Sequence, residues 1–399
     1  MSLFAENTVI GETIRLARAH EWEAATEALR HEGLKHAVEA GMHALGSTEI
    51  GRLALSRLAG PEVDDPRLAT SLAGLQLDGP TGIAAGWDKT GKSILAWQAM
   101  GARHTTVGGV PLYPQKGNPW PRLWTMDTHN GDHGSAVSRN AYGFYSPGSE
   151  IVLRNIAAQR ETGAVTIPVI VQVTANKEFY EPANRHMVPH MLAATIRKMA
   201  PVADGISLGL TSPNTLGMRD AQDQTEFIYA CVASARAATI GSNWRLPLFY
   251  KMDGDGGEQR LDSMVEVLLR AEADGAELIN STALATIKRK YGVEDLPGGL
   301  AGADPDYQKL ALDSVRYVYE AAGGRLAIHG MGGINSAEQN LLMIGAGASA
   351  TSINTGVRSL GRRAMRQLEA GMIPVLDQTP RIKRLQQIVG SGTYRGAQA

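Results

Sequence analysis

The 399-residue chain lacks several features that would point to other kinds of protein. It has one cysteine, Cys231. A single thiol excludes a disulfide framework, a cysteine-based zinc site and a four-cysteine iron–sulfur cluster within the chain. It agrees with a reducing, cytosolic setting. Charge of one sign is also lacking: 39 Lys and Arg against 40 Asp and Glu leave −1, which argues against nucleic acid as the main partner. No apolar run reaches the ~18 residues that a spanning helix needs. The start, MSLFAENTVIGETIR, has neither the basic residues nor the apolar core of a secretory leader, so none is expected. The histidines, His129 and His133 among them, show no HExxH-type spacing, and no metal site is expected.

Glycine, by contrast, is abundant at 45 residues and recurs beside apolar runs, as a fold with many tight strand-to-loop turns requires. From about residue 80, short apolar runs alternate with helical patterns. The candidate strands are Gly82–Ala85, His104–Val107, Pro168–Val173, Gly205–Leu208, Leu248–Lys251, Glu277–Asn280, Leu326–His329 and Ala350–Ile353. Eight βα units predict an α/β fold of the (β/α)8 TIM-barrel type over 76–375, since an open doubly wound sheet usually has fewer strands. Residues 1–75 read as an N-terminal helical extension. Its stripes are Ile14, Ala17, Trp22, Ala25, Ala28 and Leu29, then Leu34, Val38 and Leu45, then Ile50, Leu53, Ala54 and Leu58. Segment 109–148 is too long for an ordinary βα loop and is rich in Gly, Pro, Asn and His, which suggests a functional lid. Residues 376–399 read as a short basic helix with a Gly-rich tail.

Chemistry concentrates just past the strand ends. Residues 204–219 read DGISLGLTSPNTLGMR: a strand, then an abrupt cluster of loop formers carrying Ser212 and Asn214. Pro213 biases Ser212 toward an extended conformation. Strand one ends in AAGWDKTGK, where Ala85 and Gly86 leave room for a flat ligand and Lys89 follows. The plainer reading is a small-residue packing layer with a solvated lysine. Strand five ends at Lys251, which could face a reduced flavin near N1 or pair with Asp253 or Asp255. Asn140, Asn214 and Asn280 offer donors and acceptors to a heterocycle, although a lone strand-end Asn is usually a turn former. HGMGGINS and NTGVRS follow strands seven and eight. Gly330, Gly332 and Gly333, with Asn354, Thr355 and Gly356, could turn backbone N–H groups toward a phosphate.

These stretches together resemble the class 2 (serine) dihydroorotate dehydrogenase family over roughly 35–365. The motifs, in order, are GIAAGWDKTG, PQKGNPWPRL, RNAYGF, SPNTLGMRD, KMD, INST, GGLAG, HGMGGINS and TG after strand eight. The resemblance implies an FMN-dependent barrel that oxidises dihydroorotate to orotate in pyrimidine synthesis. The family's base takes the C5 proton while FMN N5 receives hydride from C6. Ser212 matches that base, where class 1 enzymes have cysteine. Lys89, Asn140, Gly143, Phe144, Asn214, Asn280 and Ser281 fall at orotate positions. Ala85, Gly86, Gln172, Lys251, Gly302, Gly330, Gly333, Thr355 and Gly356 fall at FMN positions. Residues 34–59 match two helices that form a membrane-facing quinone tunnel. The resemblance therefore implies a quinone acceptor and a cytoplasmic protein in weak peripheral contact with the inner face of the cell membrane.

The sequence also departs from the family. Gly209 stands for a substrate-binding Asn, Gln172 for an Asn on the flavin side, and Gly109 for a Thr. Tyr113 stands for an Arg, and Tyr145-Ser146 for two asparagines. These changes keep open a relative that acts on another cyclic amide, and a catalytically weak FMN-binding scaffold.

Overall fold

The computed structural model describes residues 26, 32–127, 136–215, 218, 223–241, 244–379 and 381–392. Eight short runs of β-branched and aliphatic residues, punctuated by glycine, form the strands of a closed parallel barrel. They are β3 (Thr81–Asp88), β4 (Thr105–Val110), β7 (Val169–Val173), β8 (Gly205–Leu208), β9 (Leu248–Met252), β10 (Gly275–Leu278), β12 (Ala327–Met331) and β13 (Ala348–Ile353). Runs such as VIVQV are buried throughout, as strands covered on both faces must be. The expected strand Glu277–Asn280 begins two residues earlier. Gly275 is the reason: a Cβ there would stand 2.3 Å from the Ala327 carbonyl oxygen and 2.8 Å from the Phe249 ring.

Helices cover the outside. The longest among the described residues, Pro305–Ala322, is representative. Asp304 caps it by accepting the Tyr307 N–H at 2.9 Å, Pro305 opens it, and Gly323 ends it at φ 59°. Tyr307, Ala311, Ser314, Val315, Val318 and Ala322 form its buried stripe.

The described part of the N-terminal segment holds two helices and a short hairpin. Helix α1 (Leu34–Gly46) and helix α2 (Glu49–Ala59) match the second and third stripes. The first stripe, at residues 14–29, lies outside the described residues apart from Thr26. Residues 70–77, expected in or beside the helical extension, instead form the antiparallel hairpin β1 (Thr70–Leu72) and β2 (Leu75–Leu77). Its turn, Ala73-Gly74, takes positive φ at both positions. Leu72 and Leu77 pack on Ile170, Phe249 and Ala350 and close the barrel's bottom.

Segment 109–148 is not a structureless loop either. It holds the hairpin β5 (Leu123–Asp127) and β6 (Ala136–Asn140), joined by β11 (Gly299–Gly302) into a three-stranded antiparallel sheet. Trp124 faces Arg139 in register, with the guanidinium 3.4 Å from the ring centroid, a cross-strand pair that fixes the hairpin. His129 and His133 lie outside the described residues. Near the C-terminus, the expected basic helix is a single 3-10 turn, Leu385–Ile388, following a helix that ends at Asp377. Leu385 and Ile388 are buried against Leu341, Ile344, Met372 and Leu376, so their apolar side chains set that turn.

Candidate active site

Parallel strands bring their C-terminal ends to one mouth, where the connecting loops can converge on a ligand. A cleft opens there. It is lined by Ser212, Lys89, Asn140, Gly143, Phe144, Asn214, Asn280 and Ser281, and by Ala85, Gly86, Gln172, Lys251, Gly302, Gly332, Gly333, Asn354, Thr355 and Gly356. Of the expected site residues only Gly330 is absent from its walls. Side chains alternate along a strand, and His329 points into the barrel. Gly330 therefore faces outward, where a Cβ would stand 2.7 Å from Met343 and 2.8 Å from Ala348. It is a packing glycine.

Ser212 sits four residues past the end of β8 and is 7% exposed. Its Oγ accepts the Asn214 N–H at 3.2 Å, and its own N–H donates to Met218 Sδ at 3.0 Å. These two contacts close the turn and hold the hydroxyl in the cleft. The three asparagines do converge. Asn214 Nδ2 donates to Asn140 Oδ1 at 2.9 Å, while Asn280 Nδ2 donates to the Thr211 carbonyl at 3.0 Å. Asn214 Oδ1 and Gln172 Nε2 are buried without a protein partner. Buried amides rarely stay unpaired, so both atoms, which belong to cleft residues, are open to a ligand or a water.

The lysines divide the cleft. Lys89 lies 4.7 Å from the Tyr142 ring centroid, a cation–π contact. Burial first, then the charge of Lys35, push it down to about 7. Lys251 is 8% exposed, and burial lowers it while the Glu277 charge opposes the shift. The alternative pairing of Lys251 with Asp253 or Asp255 is not formed among the described residues. Asp253 faces Arg260 at 3.7 Å, and Asp255 accepts from Thr282 Oγ1 and Ala283 N at 2.5 and 2.7 Å. The Lys251 ammonium is left facing the cleft.

Beneath it runs a buried polar chain. Ser207 Oγ donates to Glu277 Oε2 at 2.8 Å, and His329 Nδ1 lies 3.3 Å from Glu277 Oε1. His329 Nε2 stands 2.8 Å from Ser352 Oγ and 3.0 Å from His104 Nε2. Burial, followed by the His329 charge, holds His104 well below the usual imidazole range, so it is neutral.

The two glycine loops face one another across the remaining wall. Gly332 and Gly333 take φ of 124° and 73°. Their N–H groups, and that of Thr355, donate to no acceptor among the described residues. The helix after Thr355 is only five residues long, so local amides rather than a long helix dipole face this wall. The Asn354 side chain is already committed: Nδ2 donates to the Ala85 carbonyl at 2.9 Å and ties β13 to β3.

Lys35, Tyr142 and Arg358 also line the cleft and were not anticipated. Tyr142 and Arg358 lie inside the motifs RNAYGF and NTGVRS, so their neighbours flagged them. Lys35 carries no local signal, because only tertiary packing brings α1 to the mouth.

A family model described as dihydroorotate dehydrogenase matches residues 67–376. A dihydroorotate dehydrogenase (quinone) of Anaeromyxobacter sp. (strain Fw109-5) is 34% identical over 330 residues, covering 81% of this chain and 85% of the relative. One of Mycobacterium tuberculosis (strain ATCC 25177 / H37Ra) is 31% identical over 322 residues, covering 80% and 84%. The solved structure of a ligand-free DHODH of Eimeria tenella has a TM-score of 0.74 at 24% identity over 86% of this chain and 98% of that one, a likeness of fold. Since the family model spans most of the sequence and relatives above 30% identity cover four-fifths of it, the chain belongs to the dihydroorotate dehydrogenase family of flavin-dependent oxidoreductases.

Proposed function

We propose that the chain oxidises dihydroorotate to orotate in pyrimidine synthesis, with FMN as its flavin, Ser212 as the base and a quinone as the onward acceptor. The observation that carries this reading is the meeting, in one cleft, of the buried Ser212 hydroxyl with Asn140, Asn214, Asn280 and Lys89.

The residues present suit FMN. The free N–H groups of Gly332, Gly333 and Thr355 suit a phosphate, the small residues Ala85, Gly86 and Gly302 leave a flat approach, and Lys251 supplies a cation for the N1 side. Bound FMN supplies a two-electron acceptor for the hydride leaving C6. The chain's own groups do the rest. The asparagine amides orient the ring, the Lys89 ammonium meets the carboxylate, and Ser212 Oγ takes the C5 proton. Burial of Ser212 keeps bulk water from competing for that proton.

The quinone side is α1 and α2. Leu34, Val38, Leu45, Ile50, Leu53 and Leu58 are exposed on this hairpin, and Lys35 of α1 reaches the cleft. No helix among the described residues is long and apolar enough to cross a membrane. The hairpin suits a cytoplasmic protein that touches the inner face of the cell membrane peripherally.

Two measurements test the reading. Anaerobic mixing with dihydroorotate should bleach the flavin's visible band, and chromatography of the released chromophore should give FMN. A yellow protein that dihydroorotate leaves unbleached would support the weakly catalytic scaffold instead. Bleaching by a different cyclic amide alone would support the altered-substrate reading, which Gly209 and Gln172 favour.

A further inference from the structure

Gln172 occupies an unusual position. It lies in β7, is 5% exposed, lines the cleft and leaves Nε2 buried without a protein partner. Glycines flank it on both neighbouring chain segments. At Gly108 of β4, a Cβ would stand 3.1 Å from Gln172 Cβ and 2.5 Å from its carbonyl oxygen. At Gly209, just past β8, a Cβ would stand 3.2 Å from Gln172 Cγ and Cδ and 3.3 Å from Oε1. Both glycines are cleft residues as well. The long carboxamide therefore lies in a lane that exists because position 209 carries no side chain.

The lane opens on the cleft that also holds Ser212. Gly209 is three residues before Ser212 on the same loop, and its N–H is pinned to the Val173 carbonyl at 2.9 Å, beside Gln172. The other unpartnered amide atom of the cleft is Asn214 Oδ1, an acceptor. An orphan donor at Gln172 and an orphan acceptor at Asn214 ask for a ligand that offers both a carbonyl and an N–H, as the edge of a cyclic amide does.

We propose that Gln172 and Gly209 are one specificity element: the missing side chain at 209 lets the Gln172 carboxamide reach across the strand gap and read the carbonyl edge of the bound cyclic amide. The element rests on the reading of the cleft as a dihydroorotate-type site. It assigns Gln172 to the substrate rather than to the flavin alone.

The test uses the flavin-loaded protein and four forms: parent, Gln172→Leu, Gly209→Ala and the double variant. Orotate and uracil are titrated separately, following the flavin's visible spectrum, and FMN content is measured for each form. Gln172→Leu keeps volume and removes the amide, so ligand Kd should rise roughly 5- to 150-fold, the equivalent of the ~1–3 kcal/mol that an unpaired buried polar group costs. Gly209→Ala should also weaken binding by crowding the carboxamide. In the double variant the two effects should not add, because no amide remains to be displaced. FMN content should stay level. Additive effects would overturn the proposal, as would an unchanged ligand Kd with impaired FMN retention. The parent's own behaviour separates the two readings. Parent that binds uracil but not orotate removes the dihydroorotate reading, and the uracil series then decides this one. Parent that binds neither ring removes both.

Discussion

The Glu32 carboxylate reaches 90 residues along the chain to hold the Arg122 guanidinium. Nε donates to Oε1 at 3.0 Å and the Arg122 N–H to Oε2 at 3.0 Å, with the two side chains 0% and 1% exposed. Arg122 also lies 3.9 Å from the Trp120 ring centroid and 4.8 Å from that of Tyr145. This pair fastens the segment that leads into α1 to the barrel's mouth.

Removing one partner of a buried ion pair costs about 3–5 kcal/mol. Glu32→Ala should spend that loss locally, because α1 and α2 share few buried side chains with the rest of the protein: Met42, Leu55 and Ala59 are the apolar ones apart from glycine. Hydrogen exchange should quicken over 34–59 while the barrel strands keep their protection. Equal loss of protection throughout would make the pair a global rather than a local latch.

Ser212→Ala should slow flavin reduction by dihydroorotate roughly 10²–10⁴-fold, the usual contribution of a general base. FMN content should remain near the parent's, since among the described residues the hydroxyl bonds only to the Asn214 N–H. Identical bleaching rates in stopped flow would assign the base elsewhere.

Most of the cleft's residues are legible in the sequence, and those that are not share a physical pattern. Ser212, Asn214, Lys251 and Asn280 sit where a strand's apolar period breaks into loop formers, a local signal. Gly330 lies inside β12 rather than in the loop after it, and alternation from His329 turns its Cβ direction away from the cleft. The β5–β6 hairpin has no local signal, because its strands mix polar with apolar residues and gain their order from Trp124, Arg139 and a third strand more than 150 residues later. Lys35 came from a helix whose position no local pattern reveals.

Ligand affinity should depend on pH through Lys89. Its folded value, about 7, reflects burial and then the Lys35 charge. An anionic ligand needs the ammonium, so orotate Kd should rise up to about tenfold per pH unit above 7. Lys89→Met should bind weakly with a flat profile across the same range. The ligand-free protein has the opposite slope: the unfolded chain binds the extra proton, so this group raises stability as pH climbs from about 7 toward the ordinary lysine value. A parent profile as flat as the variant's would contradict the assignment.

Glu277 anchors the polar chain inside the barrel. Burial opposes its ionisation, but the His329 hydrogen bond and charge, Lys251 and Ser207 together hold it below the usual carboxylate range. Its stabilising contribution is therefore present above the unfolded carboxylate value and is lost as pH falls through the folded one. Glu277→Leu should cost about 3–5 kcal/mol, since His329 and Lys251 would lose the charge that faces them. Chemical denaturation at neutral pH measures this, and a loss below about 1 kcal/mol would mean that the chain repacks.

The outward face of the helical hairpin sets the last expectation. Ile50 is 83% exposed, Leu34 62% and Leu53 52%. The stripe is too short to span a bilayer, but it can enter the interface, where each fully buried large side chain contributes about 1.5–3 kcal/mol. Acidic neighbours such as Glu39 and Glu49 limit any added attraction to anionic lipid. Membrane contact should therefore depend mainly on apolar area and only weakly on vesicle charge. Ile50→Glu with Leu53→Glu removes two of the anchors without touching the cleft. The double variant should lose flotation with neutral vesicles and lose turnover with a long-chain quinone. Its flavin should still bleach with dihydroorotate at the parent's rate, and a small water-soluble acceptor should still reoxidise it. Full turnover with the long-chain quinone in the double variant would move the acceptor's entry away from this hairpin.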